Sequence, residues 1–438
     1  MKKRVKKKSS RKKGERKYEA EVEYEYLKLN YHPKDDIVCL FRIEPASGIT
    51  LKKAAEHVAL ESSIGTWTSV PGKSYMRHLA AKIFSIDGNL VKIAYPSELF
   101  ERGNAPNILS SIAGNIFGMK AVKNLRLEDV SFPKSILKSF SGPFLGINGI
   151  RRELQVYDRP FLGTIVKPKL GLNSRDHSQC AYSAWLGGCD FVKDDENLSS
   201  QSFNLFERRL ALTLEAKDKA EQETGEKKAY LVNVTSETNE MIKRAELVKK
   251  MGGNFCMIDI LTAGFAALQT LRQAKLKLGI HGHRAMHAAM TRNKKHGISM
   301  MTIADFARLI GVDSLHIGTG IGKLEGSAKE IREIENEIEN EKIEETHLRL
   351  KQNWGKIKST LAVCSGGLHP GHIPFLVKNF GNDISIQLGG GIHGHPQGTS
   401  NGAIAARQAI YASINGISLE KYSEKYPEIR AALKFWKK

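Results

Sequence analysis

Cysteine is scarce in this chain. Its five cysteines, Cys39, Cys180, Cys189, Cys256 and Cys364, are odd in number and form no Cys-x-x-Cys pair. A disulfide framework and a cysteine zinc site are both disfavoured, and a reducing cytosol fits best. Long apolar runs are missing too: none approaches the ~18 residues that span a bilayer. The basic N-terminus leads into Lys17-Tyr18-Glu19-Ala20-Glu21 rather than an apolar segment, so no secretory signal is expected. Proline is sparse beside glycine, 13 against 39, as suits a chain with many tight turns. Acidic charge is in deficit, 47 Asp and Glu against 67 Lys and Arg, for a net +20. That excess is local, because residues 1–17 hold eleven Lys or Arg and one Glu, a net +10. Beyond this tail the chain is only moderately basic, which weighs against nucleic-acid binding by the whole protein. The expectation is a soluble cytoplasmic protein without membrane contact.

Apolar residues make up 41%, enough for a large core, and 438 residues suggest two or three domains of ~150 each. Residues 1–17 read as a basic disordered tail. Residues 18–150 read as an α+β domain. There, Tyr24–Tyr31 and Ile37–Ile43 carry strand residues around the turn His32-Pro33-Lys34-Asp35-Asp36. Leu51–Glu61 has helical spacing, and Val91–Tyr95 is another short strand.

Residues 151–438 take up a strand-then-helix rhythm. Eight β-rich segments recur: Leu162–Val166, Asp190–Val192, Tyr230–Val234, Phe255–Ile258, Leu278–Ile280, Ser314–Ile317, Leu361–Val363 and Ile384–Leu388. Helical stretches such as Phe203–Gln222, Glu237–Met251, Ala263–Lys277 and Met301–Ile310 separate them. Eight such units fit a (β/α)8 barrel of ~250 residues. A doubly wound sheet is the alternative, since a count cannot show closure. Polar or glycine residues at the C-terminal end of nearly every strand favour the barrel, where active sites are built from those ends. Residues 328–345, with Glu-Ile-Glu-Asn repeated and Ile331, Ile334 and Ile338 in one stripe, predict a charged, solvent-facing helix.

At Gly188–Glu196 a strand ends in Lys193 beside Asp194, Asp195 and Glu196. Carboxylates are hard oxygen ligands suited to Mg²⁺. An ammonium repels a metal, but Lys193 that had reacted with CO2 would be an anionic carbamate and a third oxygen ligand. An ion-paired strand end is the alternative. In Lys167-Pro168-Lys169, residues two apart on a strand share a face, so both ammonium groups should enter the barrel mouth. Crowding cations lowers a lysine pKa and makes a proton donor or acceptor, although two surface lysines would read alike. His281, His283, Arg284 and His287 supply imidazoles and a guanidinium suited to phosphate. Ser365-Gly366-Gly367 and Gly389-Gly390-Gly391 follow strands seven and eight, where bared backbone N–H groups bind phosphate in barrels. Glycines also serve as plain turns. Gly318–Lys323 is no P-loop, because Leu324 occupies the Ser/Thr position, and it reads better as a lid presenting a cation. Two phosphate sites, Mg²⁺, several lysines and a lid suit a sugar bisphosphate whose C–H is removed beside a carbonyl.

These segments resemble the large subunit of ribulose-1,5-bisphosphate carboxylase/oxygenase (RuBisCO). The similarity runs over about residues 20–435. It rests on Gly188–Glu196, Lys167–Leu172, His283–His287, Gly322–Gly326, Ser365–Gly367, Glu61–Trp67 and Gly114–Gly118. The variants Gly163-Thr164-Ile165-Val166 and Gly391-Ile392-His393-Gly394-His395 resemble the archaeal-type form III branch, with form II/III as the neighbouring possibility. The resemblance implies carboxylation of ribulose bisphosphate by CO2 to two 3-phosphoglycerates, with competing oxygenation by O2, in salvage of AMP-derived ribose.

By the same resemblance, Lys193 is the carbamylated lysine and Asp195 and Glu196 complete the Mg²⁺ ligands, CO2 being the activator. The carbamate is the base for enolisation, Lys167 protonates the product carbanion with Lys169 tuning it, and His283 assists proton movement at C3. Lys323 closes over the site. Arg284, His316 and Ser365 hold one phosphate; Thr66, Trp67, Gly367, Gly389 and Gly390 hold the other, and Gly366 is a further substrate-binding residue. Glu61 and Asn115 come from a partner subunit, which implies a homodimer or ring of dimers sharing its active sites, without a small subunit. The nearest rival is a RuBisCO-like enolase or isomerase that does not carboxylate. Such proteins lose several of these residues, whereas every matched position is filled here. A nucleic-acid contact by the tail has only charge in its favour, since the tail lacks interleaved aromatics.

Overall fold

The computed structural model describes residues 25–65, 74–322 and 327–436. The N-terminal domain is a twisted sheet of β1 (Asp36–Pro45), β2 (Lys82–Asp87), β3 (Leu90–Pro96) and β4 (Val122–Ser131), antiparallel in the order β4-β1-β3-β2. Alternation along β1 buries Ile37, Cys39, Phe41 and Ile43 on one face. Helices Leu51–Glu61 and Ala105–Ile112 contribute Ala55, Val58 and Ile108 to the same core. Only part of the strand expected over Tyr24–Tyr31 forms: Leu27 makes a single bridge to Ile83, and the chain turns straight afterwards.

The barrel strands are β5 (Phe161–Ile165), β6 (Phe191–Lys193), β7 (Ala229–Asn233), β8 (Phe255–Asp259) and β9 (Gly279–His283). The chain then leaves to add β10 (Gly297–Ile298) parallel to β4, tying the two domains together. It returns as β11 (Ser314–His316), makes the small pair β12 (Lys342–Ile343) and β13 (Gln352–Asn353), and completes the barrel with β14 (Leu361–Ser365) and β15 (Ile384–Gln387). β15 pairs in parallel with β5, so the sheet closes and a doubly wound sheet is excluded. All eight strands fall where the apolar runs predict them. Helix Gly146–Leu154 plugs the N-terminal end, placing Ile147, Ile150 and Leu154 against Phe161, Phe191 and Phe255. Among the described residues, no helix is long and apolar enough to cross a membrane.

The charged segment that follows β11 departs from expectation. Its helix covers Ala328–Glu339 only, and it buries Glu335 and Glu337 as well as the isoleucine stripe. Glu337 accepts from the Trp354 indole N–H at 3.0 Å. Nearby, β4 carries Asp129, which accepts from Leu350 N–H at 2.5 Å and faces Asp305 of helix Met300–Ile310. Burial raises the carboxyls in this seam, Asp129 to about 6, Glu335 and Glu337 to about 8.

Candidate active site

The C-terminal ends of the strands surround a cavity of about 470 Å³. Lys167, Lys193, Glu196, His283, His316, Ser365, Gly366, Gly367, Gly389 and Gly390 all line it. They come from loops or strand ends of β5, β6, β9, β11, β14 and β15, far apart in sequence and gathered only by closure of the barrel.

Lys193 ends β6 with its side chain wholly buried, its Nζ 2.8 Å from Asp194 O and 3.2 Å from Met257 Sδ. Burial lowers its pKa, against the pull of Glu196 and Asp195, and so favours the neutral amine that reacts with CO2. The next side chain, Asp194, points the other way. It accepts from Tyr230 Oη at 2.6 Å, Asn233 N–H at 3.0 Å and Arg209 Nε at 3.2 Å, so it is spent on structure. Asp195 returns to the mouth and accepts from Lys167 Nζ at 2.5 Å. Glu196 Oε2 stands 3.9 Å from Lys193 Nζ and 3.7 Å from His283 Nε2. Burial opposes its ionisation, but the charges of His283 and Lys193 hold its carboxyl below the ordinary value.

Imidazoles fill the floor. His283 Nδ1 is 2.7 Å from Asp259 Oδ1, and the His283 and His316 rings lie 4.7 Å apart. His316 Nδ1 meets Ser365 Oγ at 2.6 Å, while its Nε2 meets His281 Nε2 at 2.8 Å. Burial and mutual repulsion hold His281 and His316 well below the usual imidazole range, so both are neutral.

Several predicted residues stand elsewhere. Lys169 does not share the mouth with Lys167: β5 has ended at Ile165, the period-two argument no longer applies, and Lys169 is exposed with Nζ 3.3 Å from Asn197 Oδ1. Arg284 is buried close to Gly318 in the turn after β11, and burial brings it down to about 10. His287 turns aside to Thr291 Oγ1 at 3.0 Å. Glu61 ends its helix and Asn115 begins the turn Asn115–Gly118; neither lines the cavity of its own chain. Thr66, Trp67 and Lys323 lie outside the described residues. Conversely, Gln387, His369 and Trp436 line the cavity without having been anticipated. Trp436 stacks on His369 at 5.6 Å, and an apolar stripe on helix Pro427–Trp436 is its only signal in the sequence.

Among the described residues, no three Asp, Glu, His or Cys side chains group as a metal site. Asp195 and Glu196 are hard oxygen donors, and a carbamate on the buried Lys193 would add a third, a set that would fit a hard cation such as Mg²⁺.

A closed barrel that gathers lysines, carboxylates, imidazoles and glycine turns at the C-terminal mouth of its strands defines a TIM-barrel enzyme. Comparison narrows the class: the chain belongs to the RuBisCO large-chain family. Residues 146–436 match the ribulose bisphosphate carboxylase large chain catalytic domain, and residues 25–136 match its N-terminal domain. A ribulose bisphosphate carboxylase of Methanosarcina barkeri is 48% identical over 429 residues, covering 95% of this chain and 100% of its own. One from Methanocaldococcus jannaschii is 48% identical over 427 residues, covering 94% and 100%. Among solved structures, the dimeric archaeal Rubisco from Hyperthermus butylicus superimposes with a TM-score of 0.89 at 47% identity, covering 94% of this chain and 98% of that one. The octameric enzyme from Pyrococcus horikoshii gives 0.87 at 44%, covering 94% and 96%.

Proposed function

We propose that this chain carboxylates ribulose 1,5-bisphosphate to two 3-phosphoglycerates, with oxygenation as a competing reaction. The observation that carries the proposal is the gathering of Lys167, Lys193, Glu196, His283, His316, Ser365 and two glycine turns around one cavity. Asp195, Glu196 and carbamylated Lys193 would hold Mg²⁺, which would supply positive charge against the oxyanions that develop on the substrate. The backbone N–H groups of Gly366, Gly367, Gly389 and Gly390 bind phosphate, and Ser365, oriented by His316, binds the other end of the sugar together with Arg284. Carbamylated Lys193 takes the proton from C3, and His283, oriented by Asp259, moves protons among the C3 substituents. Lys167, kept in place by Asp195, returns a proton to the product carbanion at C2. Lys169 acts from outside this cavity, and Lys323 is read as the cation that closes over the substrate. Thr66, Trp67, Glu61 and Asn115 complete the site from a partner subunit, in a dimer or ring of dimers without a small subunit. Dimeric and octameric relatives support that assembly. We place the enzyme in the cytoplasm, in form III-type salvage of AMP-derived ribose.

The test is purified protein with CO2, Mg²⁺, ribulose bisphosphate and labelled bicarbonate. Acid-stable label in phosphoglycerate is expected. Its absence, with turnover of an enolase or isomerase substrate instead, would overturn the proposal.

A further inference from the structure

His393 plays no part in the function above, yet it stands where the strands carrying Lys167 and the glycine turn meet. It ends the single helical turn Gly390–His393. Its Nε2 is 2.9 Å from Thr164 Oγ1 on β5, and Thr164 Oγ1 is also 2.6 Å from Leu388 O, just beyond β15. A hydroxyl has one proton, and a carbonyl can only accept. Thr164 therefore donates to Leu388 and accepts from His393, which puts the imidazole proton on Nε2. Nδ1 is left as an acceptor, facing Thr399 Oγ1 at 3.1 Å and Cys180 Sγ at 3.4 Å. Cys180 Sγ also lies 3.7 Å from Lys167 O. Lys167 runs along the same turn, for a Cβ added at Gly389 would stand 3.1 Å from Lys167 Cε. Burial and the neighbouring Lys167 charge push His393 down to about 4, so the ring is neutral and adds no cation beside that lysine.

Resting on the reading of Gly389 and Gly390 as a phosphate turn and Lys167 as the final proton donor, we infer that His393 is a positioning residue. Its bond to Thr164 locks the turn to β5, so that a bound phosphate and the Lys167 ammonium keep one register. Without that tie the phosphate is held less well and the C2 carbanion waits longer for its proton. The waiting carbanion has another exit. Its electron pair forms a C1=C2 bond as the C1–O bond breaks, inorganic phosphate leaves, and the enol takes a solvent proton at C1 while its C2 hydroxyl proton goes to solvent, giving pyruvate. No oxidant or reductant is consumed.

The experiment compares His393→Leu, which cannot donate, with His393→Gln, whose amide N–H still reaches toward Thr164, and with Thr164→Val, which removes the acceptor. Loss of one hydrogen bond worth about 1.4 kcal/mol corresponds to a roughly tenfold rise in KM for ribulose bisphosphate in His393→Leu and Thr164→Val. Calorimetric binding of ribulose bisphosphate to the metal-free enzyme weakens by the same factor, and the ratio of pyruvate to phosphoglycerate rises several-fold. His393→Gln recovers most of both. Unchanged binding and product ratio in folded His393→Leu or Thr164→Val, or a Gln variant no better than Leu, would overturn the inference while leaving the carboxylase reading intact. A wild-type enzyme that makes no phosphoglycerate would sink that reading, and this inference with it.

Discussion

At the N-terminal end of the barrel, Asp190 stands just before β6 and accepts from both terminal nitrogens of Arg159 at 2.7 and 2.8 Å and from Leu162 N–H at 2.8 Å. Asp313 repeats the device before β11, accepting from Arg272 Nη2 at 2.6 Å and from Ile280 N–H at 2.8 Å. At the C-terminal end the same kinds of groups are left incomplete. Lys193 is 3.9 Å from its nearest free carboxylate, Gln387 Oε1 is buried without a partner, and both face the cavity. One end spends its charges on locking neighbouring strands together. The other keeps unfilled hydrogen-bonding and ligand positions, which is what a binding site needs and what stability alone would not favour.

Changing the open end should cost activity and not fold. Lys193→Met is expected to lower carboxylation at least ~10³-fold, the upper range for removing one preorganised electrostatic group. Its thermal midpoint should match or exceed the wild type, because the variant no longer desolvates an amine. Acid-stable label and a melting curve read the two effects. A large drop in stability would put Lys193 with the closed end. The reverse holds at the closed end: Arg159→Met leaves Asp190 short of its main partner and should cost ~3–5 kcal/mol in denaturant unfolding. The kcat of the protein that remains folded should change little.

The open end was largely legible in the sequence, and the physical reason is local. Each barrel strand is a short apolar run buried on both faces, and it stops where a polar residue begins, so Lys193, His283, His316 and Ser365 could be placed at strand ends by reading along the chain. Lys169 could not, because its position depends on β5 ending two residues before Lys167, and no residue marks that end. Asp194 and Asp195 are chemically equal in the sequence; only the pairing of β6 with β7 shows that Tyr230 and Asn233 claim the first. The apolar stripe of its helix marks Trp436 only as a packing residue; its place at the cavity comes from stacking on His369, which periodicity does not foretell. The burial of Glu335 and Glu337 was hidden for the same reason, since a charged helix reads as solvated until its neighbours are known.

The seam between β4 and helix Ala328–Glu339 belongs to neither end. It buries Asp129, Asp305, Glu335 and Glu337, and burial raises all four carboxyls. Glu337 is raised by burial to about 8, above the ~4.3 of an unfolded glutamate. Its contribution to stability is therefore complete below pH ~4.3 and is lost as pH rises through about 8. Denaturant midpoints should fall between pH ~5 and about 8 in the wild type and level off above that, and Glu337→Gln should flatten the fall. An unchanged slope in the variant would assign the loss to other groups, Glu335 first among them.

The smallest effect concerns a thread that joins the two ends. Ser314 opens β11 at the closed end, and its Oγ is 2.8 Å from His281 Nδ1. His281 then meets His316, which meets Ser365 at the mouth. With both rings neutral, one proton serves each link, and one order leaves the Ser365 hydroxyl free to donate to phosphate. In that order Ser314 donates to His281 Nδ1, His281 Nε2–H donates to His316 Nε2, and His316 Nδ1–H donates to Ser365 Oγ. Ser314→Ala removes the partner that fixes the His281 tautomer, so both orders become populated. In the reversed order Ser365 donates to His316 instead of to the substrate. The loss of one net hydrogen bond, about 0.5–1.5 kcal/mol, corresponds to a KM for ribulose bisphosphate raised roughly two- to tenfold at unchanged kcat. Ser365→Ala should raise KM at least as much, and adding Ser314→Ala to it should do nothing further, because the thread then has no donor to deliver. Additive losses in the double variant would show that Ser314 acts on its own strand and not through the imidazoles.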